Sequence, residues 1–144
     1  MHVRADLHIH TQASDGDLSP DQIVSLAQYS GLDAIAITDH DTLSGARDAM
    51  GPAENNKILS IPGVEISVAY DPGTLHILGY FPSFPRGFEN VMKRLQDART
   101  TRLPRIIEKL NSMGVDISVS DVEDIAHEGQ IGRPHMAKAL LKKG

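Results

Sequence analysis

Asp33-Ala34-Ile35-Ala36-Ile37-Thr38-Asp39-His40-Asp41 is the stretch from which the fold can be read. Ala34 to Ile37 is an unbroken apolar run, so both faces of the strand it forms must be covered. A strand with one wet face alternates polar and apolar residues, whereas a continuous apolar strand suits the interior of a parallel sheet. The run then turns polar within one residue, at Thr38-Asp39-His40-Asp41. Ligands of open parallel sheets sit outside the carboxyl ends of the strands, so these four residues mark where a site is expected. Asp39 and Asp41 serve equally well as turn residues or helix N-caps, but His40 is hard to explain as a cap.

Upstream, Val3 to Ile9 alternates apolar and polar residues, which predicts a short strand. Ser19-Pro20-Asp21 opens a helix, with Ser19 as N-cap and Pro20 at the first helical position. Ile23, Val24, Leu26 and Ala27 are its expected buried stripe, and Gly31 is placed to end it. Downstream, a second helix is expected from Leu43 to Glu54, although Gly45 and Gly51 weaken the pattern. Ile58 to Val68 and Thr74 to Phe81 read as strands, the first bent at Pro62-Gly63. Asp71-Pro72-Gly73 between them is turn chemistry that suits a hairpin. Strand–helix–strand–helix–strand order predicts an α/β fold.

Past Pro82 the texture becomes charged and helical. Helices are expected over Phe88 to Met113, where Pro104 should kink or divide the segment, over Ser118 to Glu128, and over Pro134 to Lys143. The chain therefore divides into an α/β part, residues 1–81, and a helical insert, residues 82–144.

With 144 residues the chain fits one ordinary domain. There is no cysteine, which excludes a disulfide framework and thiolate metal sites and fits a cytoplasmic protein. A net charge of -5 argues against a general nucleic-acid coat, but not against local phosphate binding. No apolar run approaches the ~18–20 residues that cross a bilayer, so no membrane partner is expected.

His8 and His10 lie two apart on a strand and so share a face, with Asp6 on the same face. Two imidazoles beside a carboxylate form a natural site for a borderline metal, although such pairs also occur by chance on surface strands. Glu65 and His76 each sit inside an apolar strand, where a buried polar group needs a partner or a metal. Asp15 occupies a loop in which Gly16 permits a tight turn back toward the first strand end. His8, His10, Asp15, His40, Glu65 and His76 together offer nitrogen and carboxylate ligands without sulfur. That mixture suits two or three divalent ions of Mn, Zn or Fe.

These residues resemble the polymerase-and-histidinol-phosphatase (PHP) family of metal-dependent phosphoesterases. Asp6-Leu7-His8-Ile9-His10-Thr11 is similar to its first motif and Thr38-Asp39-His40-Asp41 to its second. Gly63-Val64-Glu65-Ile66-Ser67 and His76-Ile77-Leu78-Gly79-Tyr80 are similar to the next two. The resemblance implies the N-terminal part of a distorted (β/α)7 barrel with a helical insert. The insert, ending in Gly132-Arg133-Pro134-His135, resembles the branch that removes the 3′-phosphate of nucleoside 3′,5′-bisphosphates or trims short RNA from its 5′ end. A small phosphorylated nucleotide or a short RNA 5′ end is the implied partner.

By position, the resemblance implies that His8 and His10 share one metal, that Glu65 bridges two and that His76 binds the second. Asp15 and His40 would hold a third ion. Asp6 would orient ligands, and Asp39 is carried over as a supporting residue within the catalytic set. Arg133 and His135 would face the substrate phosphate as catalytic and binding residues, with Arg99 and Arg102 as further phosphate contacts. The family completes its metal set with a later histidine and a C-terminal Asp-x-His, which this chain does not contain. It also offers four of the seven strands. The expectation is therefore the front part of a longer protein, self-associating or inactive if it stands alone.

Overall fold

The computed structural model describes residues 2–126 and 129–144. Its strands are β1 (Ala5–Ile9), β2 (Ala34–Ile37), β3 (Leu59–Tyr70) and β4 (Gly73–Tyr80), in one sheet of order β1-β2-β3-β4. β2 runs parallel to both β1 and β3, and every residue of Ala34–Ile37 is buried. The apolar run thus occupies the place its composition demands.

β3 changes partner midway. Leu59 to Pro62 pair with β2, and Gly63 to Tyr70 then pair antiparallel with β4 across a turn at Asp71 and Pro72. The expected hairpin forms, and the expected bend falls at the switch. A side chain at Gly63 would place its Cβ 2.7 Å from Thr38 Cγ2, so glycine is required where the strand crosses over. The sheet curls far enough for Tyr80 Oη, on β4, to donate to the Leu7 carbonyl on β1 at 2.7 Å. The result is an α/β half-barrel.

α1 (Pro20–Tyr29) starts as its sequence predicts. Ser19 Oγ accepts the Gln22 N–H while the Gln22 side chain accepts the Ser19 N–H, a reciprocal capping box. Gly31 follows the helix at φ +66, a conformation glycine adopts freely. Val24 and Ala27 are buried and Ile23 partly so, but Leu26 is half exposed, contrary to the expected stripe. It stands about 100° round the helix from Ala27.

The single helix expected over Leu43–Glu54 is two short ones, α2 (Ser44–Asp48) and α3 (Met50–Asn55). Pro52 has no N–H to return to the Asp48 carbonyl, which removes the bond needed for continuity. Val24, Ala27, Ile35, Ile37, Ala46, Ala49, Ala53 and Ile58 form the first core.

α4 (Glu89–Ser112) runs undivided through Pro104. Leu103 and Ile107 on either side are buried against α5 (Val119–Ala126) and α6 (Arg133–Lys143) in a second core with Ile117, Val122 and Ala139. That burial offsets the missing hydrogen bond. The end of the helix expected over Ser118 to Glu128 lies outside the described residues. Among the described residues, no helix is long and apolar enough to cross a membrane.

Candidate metal centre

The carboxyl ends of β1 and β2 and the middle of β3 meet on one side of the sheet. β2 extends past Ile37 through an isolated parallel bridge between His40 and Glu65. Asp41 N–H donates to the Glu65 carbonyl (3.0 Å) and Glu65 N–H to the Asp39 carbonyl (3.2 Å). This short ladder sets His40 beside Glu65. His76, opposite Ser67 on β4, is the diagonal neighbour of Glu65 on the same face. Its Nδ1 lies 2.6 Å from Glu65 Oε1.

His8 and His10 close the group from β1. The Glu65 Oε2 atom lies 2.9 Å from His8 Nε2 and 2.8 Å from His10 Nε2, and the two Nε2 atoms are 3.2 Å apart. Asp15 Oδ1 lies 2.8 Å from His10 Nδ1, and Asp15 Oδ2 is 3.6 Å from His40 Nε2. Three overlapping groups result: His8, His10 and Glu65; His10, Asp15 and His40; His40, Glu65 and His76. All six residues expected as ligands are therefore brought together.

Asp6 does not join them. Its carboxylate accepts the backbone N–H of His8 at 3.2 Å, so it shapes the strand rather than an imidazole.

Two features show that the donor set fits cations. His40 Nδ1 is buried without a hydrogen-bond partner, which is costly unless something else satisfies it. A neutral His10 carries one ring proton, yet its Nδ1 lies 2.8 Å from Asp15 Oδ1 and its Nε2 2.8 Å from Glu65 Oε2, so it cannot donate to both carboxylates. A divalent ion accepts electron pairs from all of them.

Electrostatics of the bare cluster follow the same geometry. Burial would raise the Asp15 pKa, but the His10 hydrogen bond and the charges of His40, His10 and His135 outweigh it and hold the group at about 2. Burial likewise opposes ionisation of Glu65, yet its bond with His8 and the charge of His40 pull its pKa below the usual carboxylate range. Burial works against protonation of His10, but Asp15 overcomes it and the pKa rises. His40 is lowered, by burial first and by Arg99 second. Binding a cation here would release protons.

Asp39 stands behind this group. Its Oδ1 accepts the Thr11 N–H (2.7 Å) and Ser14 Oγ–H (2.6 Å), and its Oδ2 accepts Thr11 Oγ1–H (2.7 Å). Both oxygens are thus spent on the 11–14 loop that delivers Asp15. Asp39, expected as a supporting residue within the catalytic set, is tied to that loop by all three bonds. Backbones pack closely around that loop, since a Cβ on Gly45 would stand 2.0 Å from Asp39 Oδ2 and one on Gly16 2.3 Å from the His10 carbonyl oxygen. Gly129 N–H and Gln130 N–H, from the insert, donate to Ala126 and Ala13 carbonyls. Neither Thr11 and Ser14 as struts nor Gly45 as a spacer was legible, because each acts on residues distant in sequence.

A cleft of about 1030 Å³ opens from Asp15, His40 and His76 toward the insert, where Arg99, Arg102, Arg105 and Arg133 line it. Arg105 was not anticipated. Arg99 is largely engaged: its Nε donates to Asp41 Oδ2 (2.6 Å) and its Nη2 to Ser67 Oγ (2.5 Å). His135, expected to face the substrate phosphate, is buried and absent from the cleft wall. Its Nδ1 accepts the Gly132 N–H at 3.1 Å.

The PHP domain family matches residues 6–143. A 5′-3′ exoribonuclease of Haemophilus influenzae is 33% identical over 147 positions, covering 100% of this chain and 53% of the relative. A 3′,5′-nucleoside bisphosphate phosphatase of Chromobacterium violaceum is 30% identical over 142 positions, covering 96% of this chain and 50% of the relative. A solved structure from Bifidobacterium adolescentis, described as a metal-dependent phosphoesterase, superposes with a TM-score of 0.85 at 30% identity, over 97% of this chain and 50% of that one. The chain spans about half the length of the curated relatives it matches.

Proposed function

The chain belongs to the PHP domain family, and from that premise we propose that it carries the metal-binding front of a phosphoesterase that hydrolyses a phosphomonoester. The substrate we favour is the 3′-phosphate of a nucleoside 3′,5′-bisphosphate. The convergence of His8, His10, Asp15, His40, Glu65 and His76 at the head of an arginine-lined cleft carries this reading. Residues 1–81 supply the barrel part and residues 82–144 the insert that walls the cleft.

Two or three divalent ions, of Mn, Zn or Fe, suit the nitrogen and carboxylate donors. His8, His10 and Glu65 would hold one, His40, Glu65 and His76 another, with Asp15 joining His10 and His40. When bound, such ions supply Lewis acidity that activates water and offsets phosphoryl charge. The rest falls to the protein. Arg133 and Arg102 present guanidinium forks that match phosphate oxygens and hold the group against the cluster. Asp39 fixes the loop that carries Asp15. His135 Nδ1 accepts the Gly132 N–H and so holds the start of α6, where Arg133 sits.

The Haemophilus influenzae relative favours a second reading, 5′-3′ removal of nucleotides from short RNA. A cleft of about 1030 Å³ leaves room for more than one nucleotide. Assaying adenosine 3′,5′-bisphosphate beside a 5′-phosphorylated oligoribonucleotide, with Mn²⁺, separates the two. Release of phosphate from the bisphosphate with no shortening of the oligomer supports the phosphatase. The reverse result supports the exonuclease. Bound metal with no turnover of either substrate rejects both for this chain and leaves a metal-binding fragment inactive by itself.

A further inference from the structure

We infer that Arg99 is a positioning residue of the metal centre, tying His40 and Glu65 into register from the insert helix, rather than a contact to substrate phosphate. The inference rests on the metal-binding reading above.

The tie is built around Asp41, one residue past His40. Asp41 is fully buried and sits at φ 53. A residue other than glycine keeps a left-handed backbone only where its surroundings over-determine it. Here they do. Asp41 Oδ1 accepts the Ser67 N–H at 3.0 Å, its N–H donates to the Glu65 carbonyl at 3.0 Å, and its own carbonyl accepts the Gln96 side-chain N–H at 2.9 Å. Arg99 completes the figure, with Nε on Asp41 Oδ2 and Nη2 on Ser67 Oγ.

Asp41 follows the ligand His40, and Ser67 lies two residues beyond the ligand Glu65. One guanidinium therefore spans the segments that carry two ligands, and does so from α4, a different part of the chain. The Arg99 side chain is 11% exposed and that of Asp41 is 0%, so water offers no substitute for either partner. Lysine keeps the charge but presents a single ammonium and cannot reproduce the fork. Gln96, one helical turn earlier on α4, holds the Asp41 carbonyl, so two residues of this helix grip the ligand-bearing segment.

The test is Mn²⁺ binding to the whole chain by titration calorimetry, comparing wild type with Arg99→Lys, Ser67→Ala and, as a charge control on the outer face of α4, Arg94→Ala. Changes in groups that orient ligands typically cost about 10-fold or more in metal affinity. Arg99→Lys should show a loss of about that size, Ser67→Ala a smaller loss, and Arg94→Ala none. Inorganic phosphate binding at saturating Mn²⁺ should stay at the wild-type value in Arg99→Lys. Unchanged Mn²⁺ affinity with weakened phosphate binding would make Arg99 a substrate contact and overturn the inference alone. Should Arg99→Lys unfold, Ser67→Ala decides: wild-type Mn²⁺ affinity in that variant overturns the tie. Failure of the wild type to bind Mn²⁺ overturns the metal reading and this inference together.

Discussion

Consecutive side chains at the end of β2 serve different ends, because a strand sends alternate residues to opposite faces. His40 enters the cluster, where it belongs to two of the three groups of ligand atoms. Asp39 turns the other way and binds Thr11 and Ser14. Replacing His40 by Ala should abolish turnover and lower Mn²⁺ stoichiometry, measured by calorimetry, while the thermal midpoint of the metal-free chain stays near that of wild type. Retained activity would reject the assignment. Asp39→Ala should do the converse damage first. It strands buried donors at a cost of about 2–4 kcal/mol of stability, read from the urea midpoint, and loosens the loop that holds Asp15. The clustered residues were legible as candidates because histidine or glutamate inside an apolar strand requires an explanation. The struts were not, because threonine and serine at a loop start are commonplace.

At the scale of elements, legibility followed how local the decisive interaction is. α1 was readable from Ser19 and Pro20, since its cap is made within four residues. Ser19→Ala should accordingly cost about 1 kcal/mol, checked by denaturant unfolding with β-sheet signal as reporter. The α2–α3 break lies at neither Gly45 nor Gly51, the weak points of the pattern, but one turn before Pro52. Pro104 shows the opposite outcome. The same chemical defect leaves α4 continuous where buried Leu103 and Ile107 hold both sides. Whether a proline divides a helix is thus decided by packing from distant segments, which the local pattern does not encode. β3 combines the two cases: the bend at Pro62-Gly63 was visible, but its use as a switch from β2 to β4 required the whole sheet.

Across the whole molecule, charge is segregated rather than balanced. The chain carries a net charge of -5, yet Arg99, Arg102, Arg105 and Arg133 gather on one cleft wall opposite a cluster of histidines and carboxylates. Bound cations would make that cleft still more positive. An anionic substrate of the kind proposed would then be drawn to a local site by a chain of net negative charge, and its binding should weaken as salt screens the field. Metal loading should also act on the fold as a whole. The candidate ligands come from β1 and its end, the 11–16 loop, the end of β2, β3 and β4, and only the folded chain assembles them. Mn²⁺ at about a hundred times its dissociation constant should stabilise the chain by about 2.7 kcal/mol. A rise in thermal midpoint that EDTA reverses is the expected observation, and no rise would mean that the cluster does not bind the ion. Arg133→Ala should leave this stabilisation intact, because it lies on the cleft wall and not among the ligands. It should instead raise KM for a nucleoside bisphosphate about 10- to 100-fold, the loss of a charge-assisted hydrogen bond worth about 1.5–3 kcal/mol. That increase should shrink as salt concentration rises. A KM unaffected by either change would remove Arg133 from the phosphate site while leaving the metal centre standing.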